Sequence, residues 1–444
     1  MRKYLLILFI STFLIFNLNL NSVGSGDTIP AKLLPFNILE GKGLYFDNYV
    51  SFLQIEKGTT YFFLKSDNHY VSSYPILTGL IALPFYIPAY LYLKANSLTS
   101  IGTFYQYSLV LQKLAASFLA SLSVVLFFLL VKNISLNNRI SLFFSLIFAF
   151  ATQTFSVSSQ GLWQHGTANL FIIISQLFLF KALNTVSDQR KNFYIFSFIG
   201  AAASFWSRLN SLLYFVLLIT FILFKEKGGR LTYLLMGILG LLSLISFNMI
   251  IYNSPLGGYG SQTATLALTN FFSGLSGLML SPSRGTVFYT PIFIFGILSI
   301  LFFKKIAQRK ETVKLIFYLN FLHLISGILL NVFWGCWWGG HSFGNRLLTD
   351  VAVPAVICAY FFYILNTGKL IRIIFYLVIV YSIFIQLIGV LNYTHSYWDS
   401  KPTNIDFDTK RLWDFKDNPI FRSLRVGPDS RGLEIIQNLI FRKI

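Results

Sequence analysis

The sequence predicts an all-α polytopic membrane protein of about 11 transmembrane helices with a long first outer loop, and three observations carry that expectation. Hydrophobic residues make up 55% of the 444-residue chain and charged residues 11%, too few charges to clothe a water-soluble globule. Apolar runs long enough to cross a bilayer recur along the chain. The 35 Lys and Arg, against 16 Asp and Glu, stand in short clusters between those runs. The net charge of +19 is therefore read as loop bias across a membrane, with no stripe to bind nucleic acid.

The runs fall near 4–20, 105–131, 141–157, 169–184, 193–207, 211–224, 231–251, 287–303, 315–333, 347–366 and 371–391. The first follows Met1-Arg2-Lys3 and reads as a retained span, since no A-x-A cleavage site follows it. The short runs 193–207 and 211–224 predict a tilted or broken pair around Arg208. The stretch 75–93 is apolar but carries Pro75, Pro84 and Pro88, and the loop charges decide its placement. If it does not cross, 17 Lys and Arg face one side with three acids, Asp188, Glu226 and Glu311. If it crosses, 15 of the 17 face outward, against the positive-inside rule. The stretch is therefore laid along the outer surface or dips into it, with the N-terminus cytoplasmic and the C-terminus outside. A transmembrane domain over 1–391 follows, containing the first outer loop 21–104 with its juxtamembrane helices, and then an outward-facing tail over 392–444.

Ionisable side chains are scarce within the spans, His323 being the main one noted, so polar chemistry is expected at the outer face. The densest feature there is Trp334-Gly335-Cys336-Trp337-Trp338-Gly339-Gly340-His341-Ser342-Phe343-Gly344-Asn345-Arg346, too polar to cross and rich in the indoles that favour the membrane–water boundary. Asp27, just past the first span, reads either as a cap for the helix that Pro30 begins or as a base at the interface. Asp47 is a second candidate carboxylate, read in preference as an ordinary loop residue. Arg208, Arg284 and Arg346 face outward at span ends, with Lys113 near the outer end of its helix. Each suits headgroup anchoring, and together they suit a phosphate, whose oxygens match guanidinium donors bidentately. His165 and His341 add donors. No zinc-like spacing, P-loop or nucleophile elbow is present.

These features resemble the GT-C superfamily of integral-membrane glycosyltransferases, the group holding protein O-mannosyltransferases, aminoarabinose transferases and bacterial relatives. The resemblance runs from about residue 1 to 360 in order. Asp27 falls where that family places an acidic residue in its first outer loop. His69-Tyr70-Val71-Ser72-Ser73-Tyr74-Pro75 with Leu83-Pro84 resembles the family's juxtamembrane Tyr-Pro segment. Lys113 stands where relatives often carry Arg, and Phe205-Trp206-Ser207-Arg208 resembles a short-helix turn ending in a basic residue. Ser281-Pro282-Ser283-Arg284-Gly285 and Trp338 to Arg346 are similar to a mannosyltransferase-like bacterial subgroup. Two departures stand out: Thr28 occupies the second place of the frequent Asp-Glu pair, and no large soluble domain follows the last span.

The resemblance implies an inverting transferase in a bacterial inner membrane, its active site facing the periplasm or exterior. It would move sugar from a polyprenyl-phosphate donor to a lipid-linked glycan or other envelope acceptor. Asp27 is then the expected base. Lys113, Arg208, Arg284 and Arg346 are expected on the donor phosphate, and Tyr74, His165, Trp337, Trp338 and His341 against substrate. No cofactor or protein-held metal is expected, while a divalent cation stays open. A polyprenyl-lipid or glycan transporter and a non-catalytic lipid-sugar binder are the alternatives.

Overall fold

A computed structural model describes residues 2–53, 61–187, 189–226, 228–260 and 265–440. Asp188 and Lys227, both used in the loop-charge argument, lie outside the described residues. Among the described residues the fold is helical apart from one small hairpin, and seven helices are long and apolar enough to cross a membrane.

Helix α1 (Arg2–Phe16) leads into the first loop, which builds α2 (Ile29–Leu39), α3 (Asp47–Phe52) and α4 (Leu77–Ala95). Between α3 and α4 lies the hairpin that the sequence reading did not anticipate. Its strands, Phe63–Ser66 and His69–Ser72, pair antiparallel with Phe63 opposite Ser72. Asp47 has a structural role here, binding His69 Nδ1 and the Tyr70 amide, each at 2.8 Å. Phe63 stacks on Phe46 at 4.9 Å, and the hairpin delivers Tyr74 to the start of α4.

Helix α5 (Ile101–Ser135) starts on the Ser100 cap and stops where Leu136 turns left-handed at φ 56°. Its 35 residues rise about 52 Å, enough to cross the bilayer and extend beyond it. Asn137 caps α6 (Asn138–Phe150), and a turn containing the π-helical stretch Thr154–Ser158 leads into α7 (Gln164–Asn184). The expected break at Arg208 is present: α8 (Gln189–Ser207) ends there, a 3-10 turn follows, and α9 (Leu212–Lys225) resumes. Helix α10 (Arg230–Tyr252) is apolar nearly all round and mostly exposed, as a lipid-facing helix is.

The later half begins with α11 (Phe271–Leu280) and α12 (Thr286–Tyr289). A segmented helical stretch follows: α13 (Ile292–Leu298), a 3-10 turn and α14 (Phe303–Ala307). Helix α15 (Glu311–Val332) precedes the aromatic segment. Helix α16 (Ala352–Leu365), with the 3-10 turn Arg346–Val351 ahead of it, is the most enclosed part of the bundle. Its residues pack with those of α5 to α9, α13 and α15 in one continuous apolar core. Helix α17 (Lys369–Ser396) runs five residues past the expected span end at 391. The tail then folds back through α18 (Pro419–Val426) and α19 (Arg431–Ile440).

The basic turns gather at one end of this bundle. Arg190 pairs with Glu226, Lys225 lies 3.5 Å from Glu311, and Thr312 donates to Asn184 at 3.3 Å. The first loop, the aromatic segment and the tail meet at the other end, around a cavity of about 760 Å³.

Candidate active site

Asp27 is positioned by the turn between α6 and α7. The Val23 amide donates to Gln160 O at 2.9 Å, the Trp163 indole donates to Val23 O at 2.9 Å, and Gln164 Nε2 donates to Asp27 O at 3.0 Å. Three contacts from one buried turn thus fix the backbone on both sides of the carboxylate. The side chain does not cap α2, whose cap residue is Thr28 and makes no side-chain cap bond. It accepts a 2.9 Å bond from Tyr74 OH and forms a 2.7 Å ion pair with Arg346 Nη1. Burial and the nearby Asp27 charge hold the Tyr74 phenol well above its usual range, so it stays a donor to the carboxylate. Tyr61, across the same loop, is pushed up to about 12 by burial and then by Asp27.

Arg346 ends the aromatic segment, and the fold around it is tight. Gly344 sits at φ 66° with Tyr289 so close that a Cβ would lie 2.5 Å from the ring, a place only glycine fills. The buried Gln153 amide donates to Asn345 O at 3.1 Å, pinning the next residue. The Arg346 guanidinium lies 4.6 Å over the Trp163 ring, so one turn orients both members of the ion pair.

A second ion cluster lies alongside. Asp350, one turn past Arg346, accepts from Arg208 Nε at 2.6 Å and Asn210 Nδ2 at 3.2 Å, and lies 2.7 Å from His165 Nδ1. Arg208 lines the cavity, whereas His165 and Asp350 stand behind it. His165 therefore orients a counter-charge, and the sequence reading that placed it against substrate is revised. The signal for Asp350 was an acidic residue inside the apolar run 347–366.

The opposite wall comes from the tail, which the sequence reading left without site residues. Asp399, Asn404 and Asp406 line the cavity with His341. His341 Nε2 lies 3.2 Å from Asp406 Oδ2 and 3.3 Å from Asn404 Oδ1, and Trp338 Nε1 donates to Asp406 Oδ1 at 3.0 Å. The bond to Asp406 raises the His341 pKa, and the same bond lowers that of Asp406.

Four expected site residues, Arg284, Lys113, Trp337 and Trp338, lie outside the cavity lining. Arg284 is fully buried and spends its donors on Trp338 O (3.1 Å), Gly340 O (3.0 Å), Ser283 O (3.0 Å) and Asp399 (2.8 Å). It clamps the aromatic segment to the tail and does not line the cavity. Lys113 reaches Gln160 from the far side of the first loop and lines a different pocket. Trp337 is buried between Gly277, Trp338 and Trp413, and Trp338 stands beside it, outside the cavity lining. Among the described residues no group of three His, Cys, Asp or Glu side chains is arranged to hold a metal ion. Within α15, His323 is buried against Tyr214 at 5.3 Å, its Nδ1 without a hydrogen bond among the described residues. No protein-family model and no curated protein matches the sequence.

Proposed function

We propose that the protein is an inverting glycosyltransferase of the GT-C type, taking sugar from a polyprenyl-phosphate donor at the outer face of a bacterial inner membrane. Its acceptor would be a lipid-linked glycan or another envelope hydroxyl. The observation that carries this reading is the Asp27–Arg346 pair, 2.7 Å apart in the wall of a cavity that Arg208 also lines. Single displacement at an anomeric carbon needs a carboxylate to take the acceptor proton. It also needs cations for a phosphate that leaves as an anion. Asp27 supplies the first, and Arg346 with Arg208 the second. A donor phosphate on Arg346 competes with Asp27 for the guanidinium and so frees the carboxylate to accept a proton. Tyr74 keeps that carboxylate oriented through its 2.9 Å bond. Arg284 and Lys113 are left out of the donor site, since neither lines the cavity.

Eleven spans with a cytoplasmic N-terminus fit this reading. The ion pairs that join the basic turns support their sharing one face. Helix α4 begins beside Tyr74 at the cavity, and near its other end Tyr90 packs 6.2 Å from Phe104 in the first turn of α5. These contacts support α4 lying along the outer face or dipping into it, although its length and apolarity would let it cross.

Purified protein in liposomes, given a synthetic polyprenyl-phosphate sugar and an acceptor glycolipid, tests the proposal. Label transferred to the acceptor, with inversion at the anomeric carbon, is the expected result. Movement of the donor across the bilayer without transfer identifies a transporter, and binding without either identifies a lipid-sugar binder.

A further inference from the structure

Lys113 is buried, 4% exposed, yet no carboxylate among the described residues pairs with it. Its hydrogen-bond partner is Gln160 Oε1, which also accepts from Asn19 Nδ2 at 2.9 Å. An ammonium held away from water with one shared amide oxygen is costly, and an anion that completes its shell removes much of that cost. Lys113 lines a pocket of about 150 Å³ between α1, α5 and α19 that shares no lining residue with the larger cavity. Leu20, Asn21 and Ser22 line this pocket, and the next residue, Val23, lines the larger cavity.

The chemistry of that pocket is graded. Asn17, Asn21 and Ser22 share the lining with Lys113, and Phe13, Leu109 and Leu114 form apolar walls. Leu14 and Leu114 are exposed on the outer surface of α1 and α5, as residues facing acyl chains are. The polar residues follow the last turn of α1, at the depth where a span gives way to headgroups. Helix α19 closes the top with Ile435 and Ile436, and it is seated close: a Cβ on Gly432 would lie 2.2 Å from Leu20 O.

We infer that this pocket is a binding site for the phosphate of an anionic glycerophospholipid of the outer leaflet, with Lys113 as its counter-charge and α19 as its cover. Phosphate oxygens occupy the unmet donors of the ammonium, and the acyl chains run down the apolar surface of α1 and α5. The lipid is held apart from the proposed reaction, so this site stands or falls independently of any transferase activity.

Native mass spectrometry of the detergent-purified full chain tests the site. The protein is titrated with phosphatidylglycerol, phosphatidylcholine of the same acyl chains, and inorganic phosphate. The expected result is one phosphatidylglycerol retained about tenfold more tightly than phosphatidylcholine, with inorganic phosphate unable to displace it. Lys113→Gln should abolish that preference. Should Lys113→Gln fail to fold, Val110→Trp, which fills the pocket and keeps the ammonium, should abolish retention instead. An unchanged preference in the folded variants overturns the site. Displacement by inorganic phosphate makes it a free-anion site, and displacement by synthetic polyprenyl phosphate returns Lys113 to the donor's path; either result overturns the assignment.

Discussion

Asn in place of Asp27 or Asp350 removes one negative charge from each of two neighbouring clusters, and the geometry predicts different outcomes. Asp350 is 4% exposed and takes Arg208 at 2.6 Å, His165 at 2.7 Å and Asn210 at 3.2 Å, tying α7 and the α8–α9 turn to the start of α16. Asp350→Asn leaves the Arg208 guanidinium buried without its counter-charge, a loss of about 3–5 kcal/mol. Against a typical domain stability of about 5–15 kcal/mol, that predicts a much lower melting temperature and a poor yield of folded protein. Asp27 and Arg346 both line a cavity of about 760 Å³, whereas Asp350 does not, and Arg346 keeps the Trp163 face at 4.6 Å and Ser25 at 3.5 Å. Asp27→Asn should therefore cost only about 1–2 kcal/mol of stability. Turnover should fall by about two to four orders of magnitude, or about 3–5 kcal/mol in barrier, if the carboxylate takes the acceptor proton. Thermal melting in detergent and transfer rate per folded molecule separate the two effects. Near-normal turnover in folded Asp27→Asn refutes the base assignment, and a native melting temperature in Asp350→Asn refutes its role as an enclosed counter-charge.

Arg346→Lys should fail to restore donor use at normal membrane abundance, because an ammonium cannot both lie flat on Trp163 and present paired donors; full transfer activity in this variant would favour simple headgroup anchoring. Arg284→Ala should expose the tail around Lys401 to protease, since it removes donors to two carbonyls of the aromatic segment and to Asp399. Resistance equal to the native protein's would contradict the clamp. His341 has a raised folded pKa, so its contribution to stability is full below its unfolded value of about 6.5 and is lost as pH rises through the folded value. Protease resistance of the tail should decline over that range and be pH-independent there in His341→Gln. With Cys336 and Cys358 replaced, new cysteines over 304–314 should be protected from impermeant thiol reagents in intact cells, and those at Asp67 or Lys401 labelled; outside labelling of 304–314 contradicts the eleven-span arrangement.

Polar groups at span ends are conspicuous in so apolar a chain, which is why Asp27, Tyr74, Arg208 and Arg346 were legible before their contacts were known. Sequence position gives depth in the membrane but not the direction a side chain faces around its helix. Lys113, grouped in sequence with Arg208 and Arg346, lines a pocket separate from theirs. Arg284 was misread for another reason: three of its acceptors are backbone carbonyls, which every residue carries and no sequence pattern advertises. The strands Phe63–Ser66 and His69–Ser72 are too short to show alternation. The tail's cavity wall was hidden because its residues are brought in by turns with no apolar period to follow.

The cavity draws its charges from distant parts of the chain: Ser25, beside Asp27, contacts Arg346 across 321 positions. A ribosome adding about 5–20 residues per second takes roughly 15–60 s to pass from one to the other. During that interval the first loop is already made, its carboxylate without the Arg346 guanidinium to close upon. Asp399 and Asp406 emerge later still. Inserting the spans is therefore not the same event as assembling the site, and a chain halted after the last span would be fully embedded yet lack one wall of its cavity. Quality control that monitors membrane insertion alone would pass such a chain, leaving the fold-back of the tail as the step that separates an embedded protein from a working one.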